Sequence, residues 1–297
     1  MRAKILPWLG TFAAVGAAAL LAFAGSYNGV RIGPMPTFAL CIVVAFAICW
    51  IVFLPAWLLR SERFYDLAGA ATFLAAVAVA LSAAGADPRS RVIAALVAVW
   101  AVRLGVFLSV RVRRDGFDRR FTAIKRDFPL FLMTWTLQAL WVSVSLGPGL
   151  AAMTSGTKAP PDTLLLVGAA LWAGGFAIEV IADAQKRRFR DQDENAGRFI
   201  RHGLWAWSQH PNYFGEIVLW TGIALCALPA LDGWQHATLV SPVFVWLLLT
   251  RISGTRMLDA TARRRWGDDP DYRQYTARTP RLIPLPPRMQ SRGAATR

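Results

Sequence analysis

Long apolar stretches recur along this chain, and short polar segments separate them. Each stretch holds about 20 residues with almost no charge, which is the length an α-helix needs to cross ~30 Å of hydrocarbon. We therefore predict an all-α polytopic membrane bundle of about seven to eight spans, and we exclude a single-span anchor. The predicted helices cover about residues 7–24, 36–59, 66–85, 92–110, 129–153, 163–185, 213–231 and 238–252.

The composition agrees with this pattern. The chain has 297 residues, of which 55% are hydrophobic, whereas a soluble protein has about 45–50% apolar residues. Its cysteines, Cys41, Cys49 and Cys226, lie inside apolar stretches and lack the spacing of metal ligands. We predict that they are small packing residues.

The net charge of +15 would suggest a nucleic-acid partner for a soluble protein, but the predicted topology explains it better. The side of the N-terminus carries 28 Lys and Arg residues and the opposite side carries 4, while Arg103 lies within a span. This asymmetry follows the positive-inside rule. We predict an even number of spans, both termini in the cytoplasm, no nucleic-acid partner, and a bacterial inner membrane or its equivalent as the location.

The first predicted helix is similar to a signal peptide. Arg2 and Lys4 precede it, and residues 22–24 have the small-residue pattern of a cleavage site. Because many spans follow, we interpret it as an uncleaved first helix.

The run SQHPNYFGE at residues 208–216 places polar groups at the head of an apolar helix. Pro211 suits the first turn, where its missing N–H costs nothing, and Asn212 and Glu216 then lie one turn apart on one face. A carboxylate there is costly unless it has a partner or lines a wet cavity. We predict a polar site at the membrane surface around this run.

Four charged residues share one helical face at the end of the sixth predicted span, namely Glu179, Asp183, Arg187 and Arg190. An ion-pair ladder at the helix exit would explain this pattern. Carboxylates followed by guanidinium groups also suit a ligand with hydroxyls or an amide at one end and phosphates at the other, because Arg binds phosphate bidentately.

Two indole side chains and one imidazole precede the run, and a second imidazole lies within it. We interpret Trp205 and Trp207 as interfacial anchors. His202 and His210 lack a third ligand, so no metal site is predicted, and His210 is interpreted as a hydrogen-bond donor or a helix cap.

Two features follow the last predicted span. Arg251 and Thr255 are spaced to share a face, and Arg251 is expected on the same side of the membrane as Asn212. Tyr272 and Tyr275 lie in a basic C-terminal segment, which is either a solvated amphipathic tail or a flap over a site.

Two features stand out in the N-terminal half. Arg103 lies inside a span and should have an acidic or ligand partner. Tyr65 and Asp66 open the third span, where an acidic residue is also favoured by the helix dipole.

Short motifs between about residues 60 and 288 resemble, in order, those of one membrane family. The motifs are ERFYDL (62–67), TF (72–73), RLG (103–105), DRRF (118–121), QALW (138–141), ADAQ (182–185), GLW (203–205), HPNYFGE (210–216) and IPLPP (283–287). Together they are similar to a family of unknown function related to the C-terminal domain of the steroid 5-alpha-reductases (DUF1295-type).

The resemblance implies a seven-helix-like bundle whose C-terminal helices bind NADPH in a cavity that faces the cytosol. By the resemblance, Asn212 and Glu216 contact the cofactor, together with Asp183 and Arg190 on the preceding helix and Arg251 near the end of the last span. With the polar residues noted above, the expected cofactor-binding set is Asn212, Glu216, Asp183, Arg187, Arg190, Arg251, His210, Tyr213, Arg103, Glu179 and Tyr272.

The resemblance also implies a domain organisation. Residues 1–35 form an extra N-terminal helix and loop, residues 36–288 form the reductase-like membrane domain with its cofactor half at about 163–288, and residues 289–297 form a disordered tail.

One departure concerns catalysis. Steroid reductases use a Glu and a Tyr from early helices as an acid pair on the substrate carbonyl, whereas Trp100 stands where that Tyr is expected and no Glu occupies the second span. Tyr65 and Asp66 are the nearest replacements by type and are the expected catalytic residues. The implied activity is NADPH-dependent reduction of a C=C bond conjugated to a carbonyl in a lipid or steroid-like substrate.

Two alternatives stay open at this stage. The His-Pro-Asn-Tyr-x-Gly string also resembles membrane methyltransferases of the isoprenylcysteine and phospholipid type, which use S-adenosylmethionine. The Arg-Glu sequence expected after their last span is absent here, which favours the reductase. A non-catalytic lipid-binding membrane protein is the other alternative.

Overall fold

The computed structural model describes residues 2–115, 121–252 and 254–286, and its regular structure is almost entirely helical. Helices α1 to α6 are Arg2–Gly25, Thr37–Leu58, Tyr65–Ala84, Pro88–Asp115, Phe121–Ile124 and Phe128–Thr154. Helices α7 to α11 are Thr163–Arg190, Pro211–Ala227, Ser241–Leu247, Gly254–Trp266 and Pro270–Arg278. Between α1 and α2, the strands β1 (Arg31–Ile32) and β2 (Met35–Pro36) pair as an antiparallel hairpin. The predicted all-α class is confirmed.

Eight helical stretches of the described residues are long and apolar enough to cross a membrane. They are Ile5–Gly25, Thr37–Leu58, Tyr65–Ala84, Pro88–Val110, Phe128–Thr154, Thr163–Arg190, Pro211–Ala230 and Gly233–Trp266. This confirms the polytopic bundle. The predicted tail at residues 289–297 and residues 118–120 of the DRRF motif lie outside the described residues.

The last stretch is more irregular than predicted. A 3₁₀ segment, Gly233–Val240, precedes α9, and a π-helical turn, Leu248–Ile252, follows it. A π-helical turn changes the register of the side chains that follow it. Arg251 is consequently exposed whereas Thr255 is buried, so the expectation that these two residues share a face is wrong.

The described chain divides into two compact units. The first unit holds the residues up to 170 and residues 220–244, and the second holds residues 171–219 and those from 245 onward. Helices α7 and α8 contribute residues to both units. Each unit is described by itself below.

Helix α6 forms the centre of the first unit, packed by α1, α2, α3 and α4. Two of its buried hydroxyl groups are satisfied within the helix, since Ser143 and Thr154 each donate to the carbonyl four residues earlier. This local bonding avoids unpaired polar groups in an apolar surrounding. Cys41, Cys49 and Cys226 are free and buried, which confirms their prediction as packing residues.

Arg89 at the start of α4 is buried at 1% exposure. Its guanidinium group donates to the carbonyls of Ala159, Pro160 and Cys226 and lies 2.9 Å from the carboxylate of Asp162. A buried charge is tolerated only when it is paired and hydrogen-bonded. Arg89 thus ties the loop before α7 to the end of α8 within the first unit.

In the second unit, α7 and α8 approach each other at a pair of glycines. A β-carbon built on Gly175 would lie 2.5 Å from the carbonyl oxygen of Gly215, and one on Gly215 would lie 2.5 Å from that of Gly175. The first unit repeats this contact seven residues away, where a β-carbon on Gly168 would lie 2.6 Å from the carbonyl oxygen of Gly222. Small residues permit such backbone contact between membrane helices.

We predict that Gly175→Ala destabilises the protein by about 1–3 kcal/mol, because the added methyl group forces two backbones apart. Thermal unfolding in detergent, followed by the monodisperse fraction, measures the change. Gly174→Ala is the matched control, since a β-carbon there has no neighbour within 4 Å. Alanine should be neutral or favourable at that helical position. Equal melting temperatures for both variants would contradict the close approach.

Candidate functional site

The predicted partners Asp183 and Asn212 lie side by side in the second unit. The side-chain amide Nδ2 of Asn212 donates to Oδ1 of Asp183 at 3.2 Å, and both side chains are half-buried. Helix α8 begins at Pro211, as the sequence predicts. The glycine contact between α7 and α8 brings this carboxylate and this amide within hydrogen-bonding distance at the ends of their helices.

The same two helices carry further carboxylates. Glu179, one turn before Asp183 on α7, is buried at 3% exposure, and Glu216, one turn after Asn212 on α8, is half-buried. The structure therefore gathers an acidic and amide-bearing surface along two neighbouring helices. The role of these residues as cofactor ligands stays a prediction.

The last turn of α7 is basic. Arg187, Arg188 and Arg190 are exposed there, whereas Lys186 lies 4.3 Å above the indole ring of Trp205. Cations are favoured at a helix C-terminus by the helix dipole. The guanidinium groups are thereby presented about one to two turns beyond Asp183.

Trp205 is part of the core, so its prediction as an interfacial anchor is wrong. It is 3% exposed, and its Nε1 donates to the carbonyl of Ala182 at 3.0 Å. The backbone carbonyl of Trp205 in turn accepts from the hydroxyl of Tyr275 at 2.7 Å. Trp207, in contrast, is 43% exposed. Sequence hydropathy does not distinguish these two indoles, because only the fold decides which one finds a carbonyl partner.

His210 is buried at 6% exposure and belongs to a chain of polar contacts. Its Nε2 lies 2.9 Å from Oδ1 of Asp259, and Oδ2 of Asp259 lies 2.8 Å from Nη2 of Arg281. That nitrogen also donates to the hydroxyl of Thr255. The contact with Asp259 supports the interpretation of His210 as a hydrogen-bond donor. Asp259 lies 49 positions from His210, and no local motif signals the pair.

The geometry fixes the role of one ring nitrogen of His210. An ionised carboxylate can only accept, so Nε2 of His210 donates its hydrogen to Asp259. The other nitrogen, Nδ1, is buried and has no hydrogen-bond partner among the described residues. The ring stacks on Tyr213 at a centroid distance of 5.7 Å. A buried polar nitrogen therefore lies one residue before the start of α8.

The C-terminal segment packs against the rest of the second unit, which excludes its interpretation as a solvated tail. Tyr272 is 9% exposed, and its ring lies 5.1 Å from Phe199 and 5.9 Å from Trp266. Burial raises the pKa of Tyr272 and that of Tyr275. Tyr272 thus has a packing role in the structure, and its role as a cofactor ligand stays a prediction.

Hydrogen bonds from two side chains to backbone carbonyls fix the end of the C-terminal segment. Gln209 donates through Nε2 to the carbonyls of Thr276 and Thr279, and Ser208 donates through its hydroxyl to the carbonyl of Leu282 at 2.7 Å. The Pro-rich residues that follow are not helical, as predicted. The residues just before the HPNYFGE motif therefore hold the C-terminal segment in place.

The expected catalytic residues belong to the first unit. The hydroxyl of Tyr65 donates to the carbonyl of Thr134 at 3.2 Å, and its ring packs between Phe121 and Trp135. Asp66 is half-buried. Consecutive helical residues do not face each other, so Tyr65 and Asp66 project in different directions from the start of α3.

Two further charged side chains of the first unit, Arg103 and Glu62, contact neighbouring side chains. Arg103 is half-buried, and its guanidinium carbon lies 5.1 Å from the ring centre of Phe107. Glu62 is buried at 4% exposure and accepts from Lys125 at 2.6 Å. The ion pair with Lys125 explains why the carboxylate of Glu62 is tolerated in a buried position. In the described parts of the chain, no group of three His, Cys, Asp or Glu residues could hold a metal ion.

Comparison with known proteins identifies the family. The model of the family described as "Protein of unknown function (DUF1295)" matches residues 49–279. The chain belongs to this family. The resemblance seen in the motifs is thereby confirmed.

Similar curated proteins include steroid-acting enzymes. The 3-oxo-5-alpha-steroid 4-dehydrogenase 1 of Bos taurus is 37% identical over 76 residues, which is 26% of this chain and 29% of the bovine protein. The Mus musculus protein of the same name is 39% identical over 62 residues, which is 21% of this chain and 24% of the mouse protein. The chain thus spans under a third of the length of these relatives.

A longer match is to an uncharacterized protein of Schizosaccharomyces pombe. It is 24% identical over 228 residues, which is 67% of this chain and 64% of the yeast protein. No solved structure matches this chain.

We predict that Asp259→Ala lowers the free energy of unfolding by about 1–3 kcal/mol, because His210 and Arg281 lose a charged acceptor. Thermal unfolding in detergent and limited trypsin cleavage at the C-terminal segment measure the effect. Asp268→Ala is the matched control, since Asp268 pairs with Arg273 at the surface of the same unit with its side chain fully exposed. Equal behaviour of the two variants would show that the His210–Asp259–Arg281 chain has no stabilising role.

Proposed function

We propose that this DUF1295 protein is a membrane-embedded, NADPH-dependent reductase of a C=C bond conjugated to a carbonyl in a lipid or steroid-like substrate. The observation that carries the proposal is the Asp183–Asn212 pair at 3.2 Å, next to a cluster of exposed arginines on the same helix. The names of the bovine and mouse relatives support the reaction class. Eight apolar helices support a substrate that enters from the membrane.

The chemistry of the polar side chains fits a dinucleotide. A carboxylate such as Asp183 accepts from ribose hydroxyls or from a carboxamide, and the amide of Asn212 both donates and accepts. Their mutual hydrogen bond fixes the direction of both groups before a ligand arrives. Glu216 extends the same surface by one turn of α8. These residues would hold the nicotinamide and ribose part of the cofactor.

The arginines at the end of α7 fit the phosphates. Arg187, Arg188 and Arg190 are exposed, and guanidinium groups bind phosphate oxygens bidentately. Arg187 and Arg190 share a helical face with Asp183, and Arg188 projects beside them, so this helix end offers positive charge for an additional 2′-phosphate. We therefore prefer NADPH to NADH as the cofactor.

The buried Nδ1 of His210 supplies a third kind of contact. It has no partner among the described residues, and burying an unpaired polar atom costs about 1–3 kcal/mol. A hydrogen-bonding group of a ligand would recover that cost. Because Asp259 fixes the ring, His210 would bind without reorienting.

When bound, NADPH would supply a hydride to the β-carbon of the conjugated C=C bond. The chain must then polarise the substrate carbonyl and deliver a proton. We propose Tyr65 as the main proton donor, because a phenol keeps its proton at neutral pH, and Asp66 as a second, separately oriented group. The hydroxyl of Tyr65 would exchange its bond to the Thr134 carbonyl for one to the substrate.

The membrane orientation is inferred from charge. The connections on the side of the N-terminus hold 28 of the 33 Lys and Arg residues, so by the positive-inside rule that side faces the cytoplasm. Arg187 and Arg190 belong to this side, where NADPH is present in cells. We propose a bacterial inner membrane or an equivalent membrane as the location.

We predict that NADPH raises the unfolding temperature of the detergent-purified chain. A ligand at 100 times its dissociation constant adds about 2.7 kcal/mol of stability. Asn212→Ala should weaken NADPH binding by roughly tenfold, as expected for the loss of one well-oriented polar contact, and Arg187→Gln should reduce the preference for NADPH over NADH. Each shift is compared with the same variant without ligand, so that a change in intrinsic stability does not count as a change in binding.

Arg201→Gln is the control for these variants, because Arg201 is exposed and pairs with Asp271 in the same unit. It should keep the full shift with NADPH. Stabilisation by S-adenosylmethionine with no response to NADPH would overturn the reductase and support a methyltransferase. No response to any of these ligands from well-folded protein would support a lipid-binding protein without catalysis.

We predict that Tyr65→Phe lowers the turnover of an enone substrate by about 10²-fold or more, the usual contribution of a positioned proton donor. NADPH consumption with a 3-oxo-4-ene steroid and with an acyclic lipid enone measures turnover. The NADPH-induced thermal shift should stay unchanged, since the variant keeps the ring packing against Phe121 and Trp135. Asp66→Asn provides the comparison for the second group. Full activity of Tyr65→Phe would exclude Tyr65 as the proton donor.

A further inference from the structure

A pocket of about 330 Å³ lies in the first unit, at the end of the first span. Its walls come from the last turn of α1, the hairpin β1–β2, the first turn of α2, and the start of the last span at Trp234. These four segments all end or begin at one boundary of the apolar helices. The volume is within the range of small-molecule sites, ~300–1,000 Å³, and the pocket is separate from every residue proposed above for the cofactor or for catalysis.

The polar wall of this pocket is suited to an anion. Arg31 lines it, and one of the guanidinium nitrogens of Arg31 is held by the carbonyl of Pro34. A guanidinium group has five N–H donors, so this contact orients the side chain and leaves donors for a ligand. Ser26 also lines the pocket, and its hydroxyl is buried without a hydrogen-bond partner among the described residues. Both groups can donate to a phosphate oxygen.

The remaining wall is aromatic and apolar. Tyr27 and Trp234 line the pocket with 41% and 65% exposure, and these residue types are enriched where membrane helices meet the headgroup layer. Phe23, one turn earlier on α1, lines the pocket and is 76% exposed. The lining therefore combines a cation at Arg31, rings with a polar atom at Tyr27 and Trp234, and a purely hydrocarbon ring at Phe23. This combination matches the headgroup and the acyl chain of a phospholipid.

The pocket is held by contacts between segments distant in sequence. The amide of Gln235 donates to the carbonyl of Tyr27 at 2.7 Å, and that of Asn28 donates to Asp232 at 2.7 Å. Gly233 adopts a φ of +48°, and a β-carbon there would lie 2.3 Å from the ring of Tyr27. The ring of Tyr27 therefore packs directly against the backbone of Gly233. The carboxylate of Asp232, the acidic group of this region, accepts from the amide of Asn28 and caps the 3₁₀ segment.

The other basic residues on this side are differently placed. Arg89 is buried and bound to carbonyls and Asp162, and Lys158 lies 3.3 Å from Asp87. Arg91 is exposed on α4 and is not among the residues that line the pocket. Arg31 is therefore the cation that the pocket presents, on a side of the protein that has little positive charge.

We propose that this pocket binds an anionic glycerophospholipid, with the phosphate on Arg31 and Ser26 and one acyl chain along Phe23. Arg–phosphate pairs are strong because they are charge-assisted and bidentate. The glycerol backbone would lie between Tyr27 and Trp234, and the lipid would join the start of the last span to the end of the first.

Native mass spectrometry of the full chain, titrated with phosphatidylglycerol, tests the site. The dissociation constant of the first bound lipid should be roughly tenfold higher for Arg31→Gln than for the wild-type chain, which is the change expected for the loss of one charge-assisted contact. The matched control Arg91→Gln, on the same side of the membrane, should bind like wild type. Phosphatidylcholine should bind more weakly than phosphatidylglycerol, because its headgroup carries a cation.

Arg31→Gln also removes the contact with Pro34, so a second variant leaves Arg31 intact. Ala39→Phe places a ring in the pocket wall at the start of α2, and it should weaken the first lipid to a similar degree while the unfolding temperature without lipid stays near that of wild type. Equal lipid affinity for wild type, Arg31→Gln and Ala39→Phe would overturn the proposal. Displacement of the lipid by millimolar inorganic phosphate would also overturn it, since it would indicate a site for free anions.

Discussion

The close approach of α7 and α8 is the constraint on which the geometry of the candidate site depends. Gly175 and Gly215 bring two helix backbones into contact, and no larger side chain fits between them. Because the helices are this close, the carboxylate of Asp183 and the amide of Asn212 meet at 3.2 Å. The polar ends of two otherwise apolar helices are thereby turned into one surface. Without the glycines, the same polar residues would be separate groups at a membrane boundary.

Buried polar groups explain the arrangement around this contact. In an apolar surrounding every charged or hydrogen-bonding group needs a partner, and the protein provides partners from remote parts of the chain. Asp259 binds both His210 and Arg281, and Arg89 binds three carbonyls. Nδ1 of His210 and the hydroxyl of Ser26 are two of seven buried side-chain atoms without a hydrogen-bond partner among the described residues, and the proposals above assign a ligand contact to each of these two.

The two compact units differ in how directly their residues indicate the kind of ligand that each could bind. The second unit carries the dense set of carboxylate, amide and guanidinium groups that a nucleotide requires. The first unit carries Tyr65 and Asp66 among aromatic side chains, which define a shape and offer few polar contacts. Under the proposed function an apolar substrate would be selected by shape, so the residues indicate the proposed cofactor more directly than the substrate. The match of the family model to residues 49–279 covers parts of both units.

The sequence alone was sufficient for the spans and for the polar motif at the head of α8, because hydropathy and helical periodicity are local properties. Its spacing also put Asn212 and Glu216 on one face of a helix, and the family resemblance assigned Asp183 to the same expected site. It was wrong about Trp205, which is buried on the carbonyl of Ala182, and about the shared face of Arg251 and Thr255.

Only the tertiary structure decided the contacts between distant segments. The partner of His210 lies 49 positions away, and the carbonyl of Cys226 that Arg89 binds lies 137 positions away. The packed C-terminal segment and the pocket at Arg31 likewise arise where segments remote in sequence meet. The physical reason is the same in each case. Local sequence fixes which groups are polar and which way a helix turns, whereas the partner of a buried group depends on how the helices pack.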